Sequence, residues 1–462
     1  MMSKEPKLLK ENGARAERLW MLACVGLIAV GFLLRLYYNY LTPYNVSAHD
    51  LGYAKGLHSG SIGSGHLGYI EHIARKGALP DFDPSKRWSF YNPPLFHMLA
   101  SLVLGFFHFP GEGIDTDAWE IVQLVPSVAI LFSVIGTYFL LRALRVRGAA
   151  LLIGVGIVSF HPSLSYLSLT LNNDALAFAF TVWALYFAVR WFEEPRMRTI
   201  LSLAACIGLG MMTKLSVALV APPVALLFAV RFFKDRKWLR YIGQFSAFLG
   251  VCVPTGLYWG IRNLRRYGLP ITYVQSLPET SAQNISGYSL EERFGIPAWE
   301  ELLRVKTSFA RPEPDRNVWG QLLRSSLFDD NMLLFEDVDT VWGSVLMVAS
   351  LAAGLLLSLL FVWGMLRHKE MNAWLRIFFS LFGVITLGYF AKFCLDYPMT
   401  CTLHFRYLLA LLVLGGVGVG AFWESTKKGI VPRIVLSLCG LLLLFCSVLS
   451  TVLYVLCLPV AA

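Results

Sequence analysis

The residues best suited to chemistry crowd into one stretch that follows the first long apolar run: Ser47-Ala48-His49-Asp50, then Gly65-His66-Leu67-Gly68-Tyr69-Ile70-Glu71-His72, then Tyr91-Asn92-Pro93-Pro94-Leu95-Phe96-His97. Five of the nine histidines fall there, His49, His58, His66, His72 and His97. A carboxylate just beyond a membrane helix stands at the boundary of lipid and water. A lipid-borne substrate presents its polar head there, and burial and neighbours tune the acid for proton transfer. Asp50 is that acid. Its structural reading is the N-cap of the amphipathic segment after it. The histidines beside Asp50 and Glu71 match no standard zinc spacing, so the expectation is neither metal nor cofactor.

Cations for an anionic substrate come later in the chain. Arg406 lies in Thr402-Leu403-His404-Phe405-Arg406-Tyr407, between two aromatics and near His404 at the mouth of an apolar run. Arg262, with Arg265 and Arg266, follows another such run, and Lys214 is the lone charge of a short turn at Met212-Thr213-Lys214-Leu215. A guanidinium at a membrane boundary can hold a phosphate bidentately, and snorkelling to headgroups is the commoner use of such residues. Asn172-Asn173-Asp174 opens a further apolar run, where Asn caps a helix and an acid suits its positive end. A structural and a functional role are compatible there.

The elements that must position these groups are membrane helices. Of 462 residues, 56% are hydrophobic and only 15% charged. The mean hydropathy is +0.58, and apolar runs of about 20 residues recur. This excludes an ordinary soluble protein. The formal charge of +10 is explained by basic cytoplasmic loops, so no nucleic-acid partner is expected. Lys4, Lys7, Lys10, Arg15 and Arg18 place the N-terminus, residues 1–18, in the cytoplasm. The first span, 19–40, then delivers Asp50 to the outside of a cell membrane.

On that register spans are expected near 121–141, 148–166, 174–192, 198–213, 215–232, 239–260, 342–366, 373–391, 404–423 and 433–457, about eleven in all. The C-terminus then lies outside. The Pro-led run 94–109 is read as interfacial or re-entrant, because counting it as a span inverts every later basic turn. The expected fold is thus an all-α polytopic bundle. A transmembrane module spans 19–260 and includes the outer loop 42–120, an outer cap covers 261–341, and C-terminal helices fill 342–462. Six cysteines sit in apolar runs as small core residues, while Cys394 and Cys401 share one outer turn and are candidates for a disulfide.

Taken in order, several pieces of the chain resemble the C-type membrane glycosyltransferases, in particular the branch of protein O-mannosyltransferases and lipid A aminoarabinose transferases, glycosyltransferase family 39-like. These are Asp50, the Gly65-to-Ile70 helix, Tyr91-Asn92-Pro93-Pro94-Leu95, His161-Pro162 with Asn173-Asp174, Thr213-Lys214, Arg262-Asn263 with Tyr267-Gly268, and His404-Phe405-Arg406-Tyr407. The resemblance implies a sugar donor on a polyprenyl phosphate, a site at the extracytoplasmic face, and an acceptor that is a protein, glycan or lipid. It assigns Asp50 as base. Arg406, Arg262 and Lys214 are the candidates for the donor phosphate, with His49, His66, Asn173, Asp174, Tyr91 and His404 in support. Two positions depart from the pattern: His49-Asp50 stands where many relatives have an acidic pair, and Gln123 where many have Arg. A transporter or lipid flippase, and a non-catalytic relative, are the alternative readings.

Overall fold

The computed structural model describes residues 5–44, 65–107, 116–305, 315–328, 339–426 and 429–457. Asp50, His49 and His58 lie outside them. The first helix is α1 (Glu5–Leu41), and the loop after it contributes α2 (Gly65–Lys76) and α3 (Leu95–Phe107). Then come α4 (Thr116–Val122), α5 (Leu124–Ala143), α6 (Gly148–Phe160), α7 (Pro162–Leu167), α8 (Asp174–Glu193), α9 (Met197–Met211), α10 (Ala221–Asp235) and α11 (Trp238–Tyr267). The second loop holds α12 (Leu290–Phe294), α13 (Trp299–Leu302) and α14 (Val318–Phe328). The bundle closes with α15 (Thr340–Arg367), α16 (Ala373–Asp396), α17 (Ala410–Ser425) and α18 (Ile430–Cys457).

The fold is an all-α, multi-pass membrane bundle. Among the described residues eight helices are long and apolar enough to cross a membrane, against the eleven or so expected from the sequence. The difference lies in three segments. Helix α6 has 13 residues and α9 has 15. At about 1.5 Å per residue neither reaches the roughly 30 Å of a hydrocarbon core. Helix α11 has 30 residues, but Gln244, Pro254 and several Tyr and Gly dilute its apolar character.

The expected span at 148–166 is broken, and the cause is legible in the chemistry. Pro162 disfavours the helical conformation in the residue before it, and His161 is extended, with φ −64° and ψ 129°. Its Nδ1 accepts from the Ser163 N–H at 3.3 Å and starts α7. The carbonyls stranded at the end of α6 are taken up by Arg35, the one charge of α1 after Arg18, which donates to Ser159 O at 2.6 Å and Val158 O at 3.5 Å. An intramembrane arginine thus serves as the C-terminal cap of an interrupted helix.

Helix α17 runs through the middle of the bundle, buried from Leu412 to Phe422. Its run Gly415-Gly416-Val417-Gly418-Val419-Gly420 lets neighbours approach closely, as small residues do where helices pack in lipid. A Cβ on Gly418 would stand 2.6 Å from the Phe361 Cα of α15. Around this axis successive helices alternate in direction, which gathers the turns 142–147, 190–198, 231–240 and 367–376 at one end. Glu17 meets Arg142 there at 2.9 Å and Arg147 at 3.8 Å. Arg231 and Arg240 donate to carbonyls of 192–195, and Arg376 donates to Met365 O at 3.1 Å. The start of α8, the end of α9 and the approach to α17 meet at the opposite end.

Candidate active site

Four separated motifs converge at that opposite end. The turn Tyr91-Asn92-Pro93-Pro94 is fastened by backbone groups: Leu95 N–H donates to Met212 O at 3.0 Å, and the Trp259 indole of α11 donates to Tyr91 O at 3.0 Å. Asn92 Oδ1 accepts from Asn173 Nδ2 at 3.4 Å, and the same amide donates to Thr213 O at 2.8 Å. Asn173 therefore ties the first loop to the Thr213-Lys214 turn. Two prolines leave this turn short of donors and fix its direction, so the side-chain amide supplies the missing link.

Lys214 is thereby presented to Asp174, the first residue of α8. The Nζ pairs with Asp174 Oδ1, and Arg406 Nε stands 3.9 Å from Oδ2. One carboxylate thus faces a cation on each oxygen. The N-terminus of α8 is served by another residue, since the Asp174 N–H donates to Asn172 Oδ1 at 3.0 Å. Tyr407 floors the cluster: its ring lies 4.8 Å from Lys214 Nζ and 5.1 Å from the Arg406 guanidinium, and its hydroxyl accepts from Arg406 Nη2 at 3.1 Å. Cation–π contacts and a phenol hold both positive charges in a niche largely closed to water.

Arg406 is aimed by two further contacts. His404 is buried, and its Nδ1 accepts from the Arg406 N–H at 2.9 Å, starting the short 3-10 turn that carries the arginine. The Phe405 N–H donates to Ser325 Oγ of α14 at 2.9 Å, and its ring stacks on His161 at 5.3 Å. The second loop and the helix break at His161 thus both bear on the cation's position. Inside that loop Arg324 and Asp315, each 3% exposed, form a buried pair at 2.7 Å.

The remaining candidates are distributed differently. His66 meets His97 at 2.8 Å, nitrogen to nitrogen, with the Tyr69 ring stacked on His97 at 4.1 Å. This pair clasps α2 to α3. Burial, and then the neighbouring His66, hold His97 well below the ordinary histidine range, so it is neutral at physiological pH. Arg262 is engaged elsewhere than Arg406: it donates to Pro80 O and to Asn263 Oδ1, and stacks over Trp259 at 4.5 Å. Gln123, where an arginine was the family expectation, is buried between α4 and α5 and donates to Leu169 O at 3.1 Å. Cys394 and Cys401 are not joined in a disulfide, and the Cys394 Sγ lies 3.7 Å from Thr402 O. Asn92 and Tyr407 were named only as parts of motifs, and the structure gives each a direct contact to the cluster. The adjoining aromatic and basic residues of His404-Phe405-Arg406-Tyr407 were the available signal for Tyr407.

Residues 92–259 match the family model described as dolichyl-phosphate-mannose-protein mannosyltransferase. This match, over about a third of the chain, agrees with the C-type membrane glycosyltransferases that its motifs resemble. Within that class the matched family is the protein mannosyltransferase one. The match runs from Asn92 through Asn173, Asp174 and Lys214 to Trp259, and leaves Asp50 and Arg406 outside it. No curated protein shows significant sequence similarity to the chain. Among solved structures, ArnT from Cupriavidus metallidurans aligns with 86% of this chain at 13% identity and a TM-score of 0.46. The Archaeoglobus fulgidus oligosaccharyltransferase aligns with 93% at 12% identity and a TM-score of 0.47. The alignments take in 59% and 56% of those two chains.

Proposed function

We propose that the chain is a glycosyltransferase that takes its sugar from a polyprenyl-phosphate donor and passes it to an acceptor hydroxyl at the extracytoplasmic face of the cell membrane, with the N-terminus cytoplasmic. The observation that carries the reading is the pairing of Lys214 and Arg406 on one carboxylate at the end of the bundle opposite the basic turns. Two cations that converge from different helices are what a phosphate leaving group requires, since negative charge grows on it as the sugar departs. The matched family's description names a lipid phosphate as sugar carrier, which agrees with that chemistry.

The reaction balances simply. The bond between the sugar's anomeric carbon and the phosphate oxygen breaks, its electron pair leaving with the phosphate. The acceptor oxygen forms the new bond from the opposite side, and its proton passes to a carboxylate. Asp50, the acid after α1, is our assignment for that base, with Lys214 and Arg406 at the phosphate and Asn173, Tyr91 and His404 as their supports. Arg262 is assigned to the first loop's attachment rather than to the phosphate, given its partners.

Transfer of labelled sugar from a defined polyprenyl-phosphate sugar by purified protein tests this. Asp50→Asn should lower turnover by roughly 10²-fold or more with little change in donor binding. Undiminished turnover by Asp50→Asn removes the base assignment. Donor binding without any transfer, across protein, glycan and lipid acceptors, removes the enzyme reading of this site.

A further inference from the structure

We propose that Asp174 limits how tightly the site holds phosphate, acting as an internal counter-ion that competes for Lys214 and Arg406 and so speeds release of the spent lipid phosphate. This rests on the phosphate-site reading above. It goes further in giving the acid of the cluster a role opposed to binding.

The geometry carries the inference. Each oxygen of the Asp174 carboxylate faces one of the two cations, Lys214 on Oδ1 and Arg406 at 3.9 Å on Oδ2. A phosphate that takes both cations must share them with this carboxylate or displace it. The Asp174 N–H at the start of α8 goes to Asn172 Oδ1 at 3.0 Å. The Asp174 side chain is 7% exposed, against 20% for Lys214 and 14% for Arg406, so solvent does little to screen a carboxylate from a phosphate beside it.

Charge gives the arrangement a direction. Lys214, Arg406 and Asp174 sum to one positive charge. A sugar donor on a lipid phosphate is a diester with one negative charge, which that sum matches. After transfer the phosphate is a monoester and carries about 1.5 to 2 negative charges at neutral pH, as other phosphomonoesters do. The trio with Asp174 ionised suits the donor better than the product. A neutral residue at 174 would leave two mostly buried positive charges and suit the product instead.

The test is binding of farnesyl phosphate, with farnesol as the control for the lipid tail, to the full chain in detergent. It is read by direct affinity measurement and by the rise in melting temperature on adding ligand. Asp174→Asn should lower the melting temperature of the free protein, because two mostly buried cations lose one carboxylate they share. It should bind farnesyl phosphate at least about tenfold more tightly than wild type, with a correspondingly larger ligand-induced rise and no change toward farnesol. In the transfer reaction, farnesyl phosphate should become a stronger inhibitor by a similar factor. Asp174→Ser is expected to move in the same direction and serves if the Asn variant does not fold. Equal or weaker binding by these variants, with binding lost in Lys214→Met, would overturn the counter-ion role and leave Asp174 a positioning residue. Unchanged binding in Lys214→Met would overturn the phosphate site itself, and this inference with it.

Discussion

Arg231 and Arg406 are both arginines at a helix end, with side chains 21% and 14% exposed, and they answer different partners. Arg231 is held mainly by acceptors that any helix provides: it donates to Phe192 O and, at 2.9 Å, to Glu193 O, lies over the Phe192 ring, and meets Asp235 of its own helix at 3.4 Å. Those carbonyls belong to the last turn of α8, so the arginine closes a helix and anchors α10 against it. Arg406, at the opposite end, is turned toward a carboxylate that Lys214 also engages, on a tyrosine that both cations share. Cations satisfied by backbone carbonyls hold the bundle together. Cations gathered around one side-chain carboxylate are, on the proposed reading, placed to share themselves with a phosphate.

The contrast is sharpest in what loss of each residue should do. Arg406→Ala and Lys214→Met should each weaken binding of a polyprenyl-phosphate donor by at least about tenfold, because each removes a charge-assisted contact in a niche of low effective dielectric. Equilibrium binding in detergent measures this, and unchanged affinity in both would dissolve the distinction between the two ends. Arg231→Ala should instead cost about 1 to 3 kcal/mol of stability, since charged donors are removed from the part-buried end of α8. Its donor affinity should stay within about twofold of wild type, and thermal unfolding and the same binding assay separate the two effects. The smallest effect is expected of Lys392→Ala, whose partner Asp396 is 2.7 Å away on the exposed last turn of α16. An exposed pair one helical turn apart contributes about 0.5 kcal/mol or less, so both stability and donor affinity should be nearly unmoved.

Much of this comparison was legible before the fold. The basic turns and the apolar runs gave the bundle and its two ends, because apolar length and the placement of Lys and Arg are local properties of a sequence. Asn173-Asp174, Thr213-Lys214 and His404-Phe405-Arg406-Tyr407 were each noticed for the chemistry of their residue types. That Asp174 sits between Lys214 and Arg406 was not legible, since the pairing joins residues far apart in the chain through the packing of α8, α9 and α17. The break at His161-Pro162 had its signal in the proline, and the apolar residues on either side concealed it within one run. The role of Arg35 could not be seen until α6 was found to end where the arginine reaches it. Helices α6 and α9 show what an apolar run leaves open: the run gives hydrophobicity, and the fold decides how much of it is continuous helix.

The central claim is that Lys214 and Arg406 hold the phosphate of a lipid-linked sugar. A cryo-EM map of the full chain with a polyprenyl phosphate bound tests it most directly. The account predicts phosphate density within hydrogen-bond reach of both the Lys214 ammonium and the Arg406 guanidinium, above the Tyr407 ring. A phosphate seated instead on Arg262 beside Pro80 and Trp259, with Lys214 and Arg406 still closed on Asp174, would contradict it.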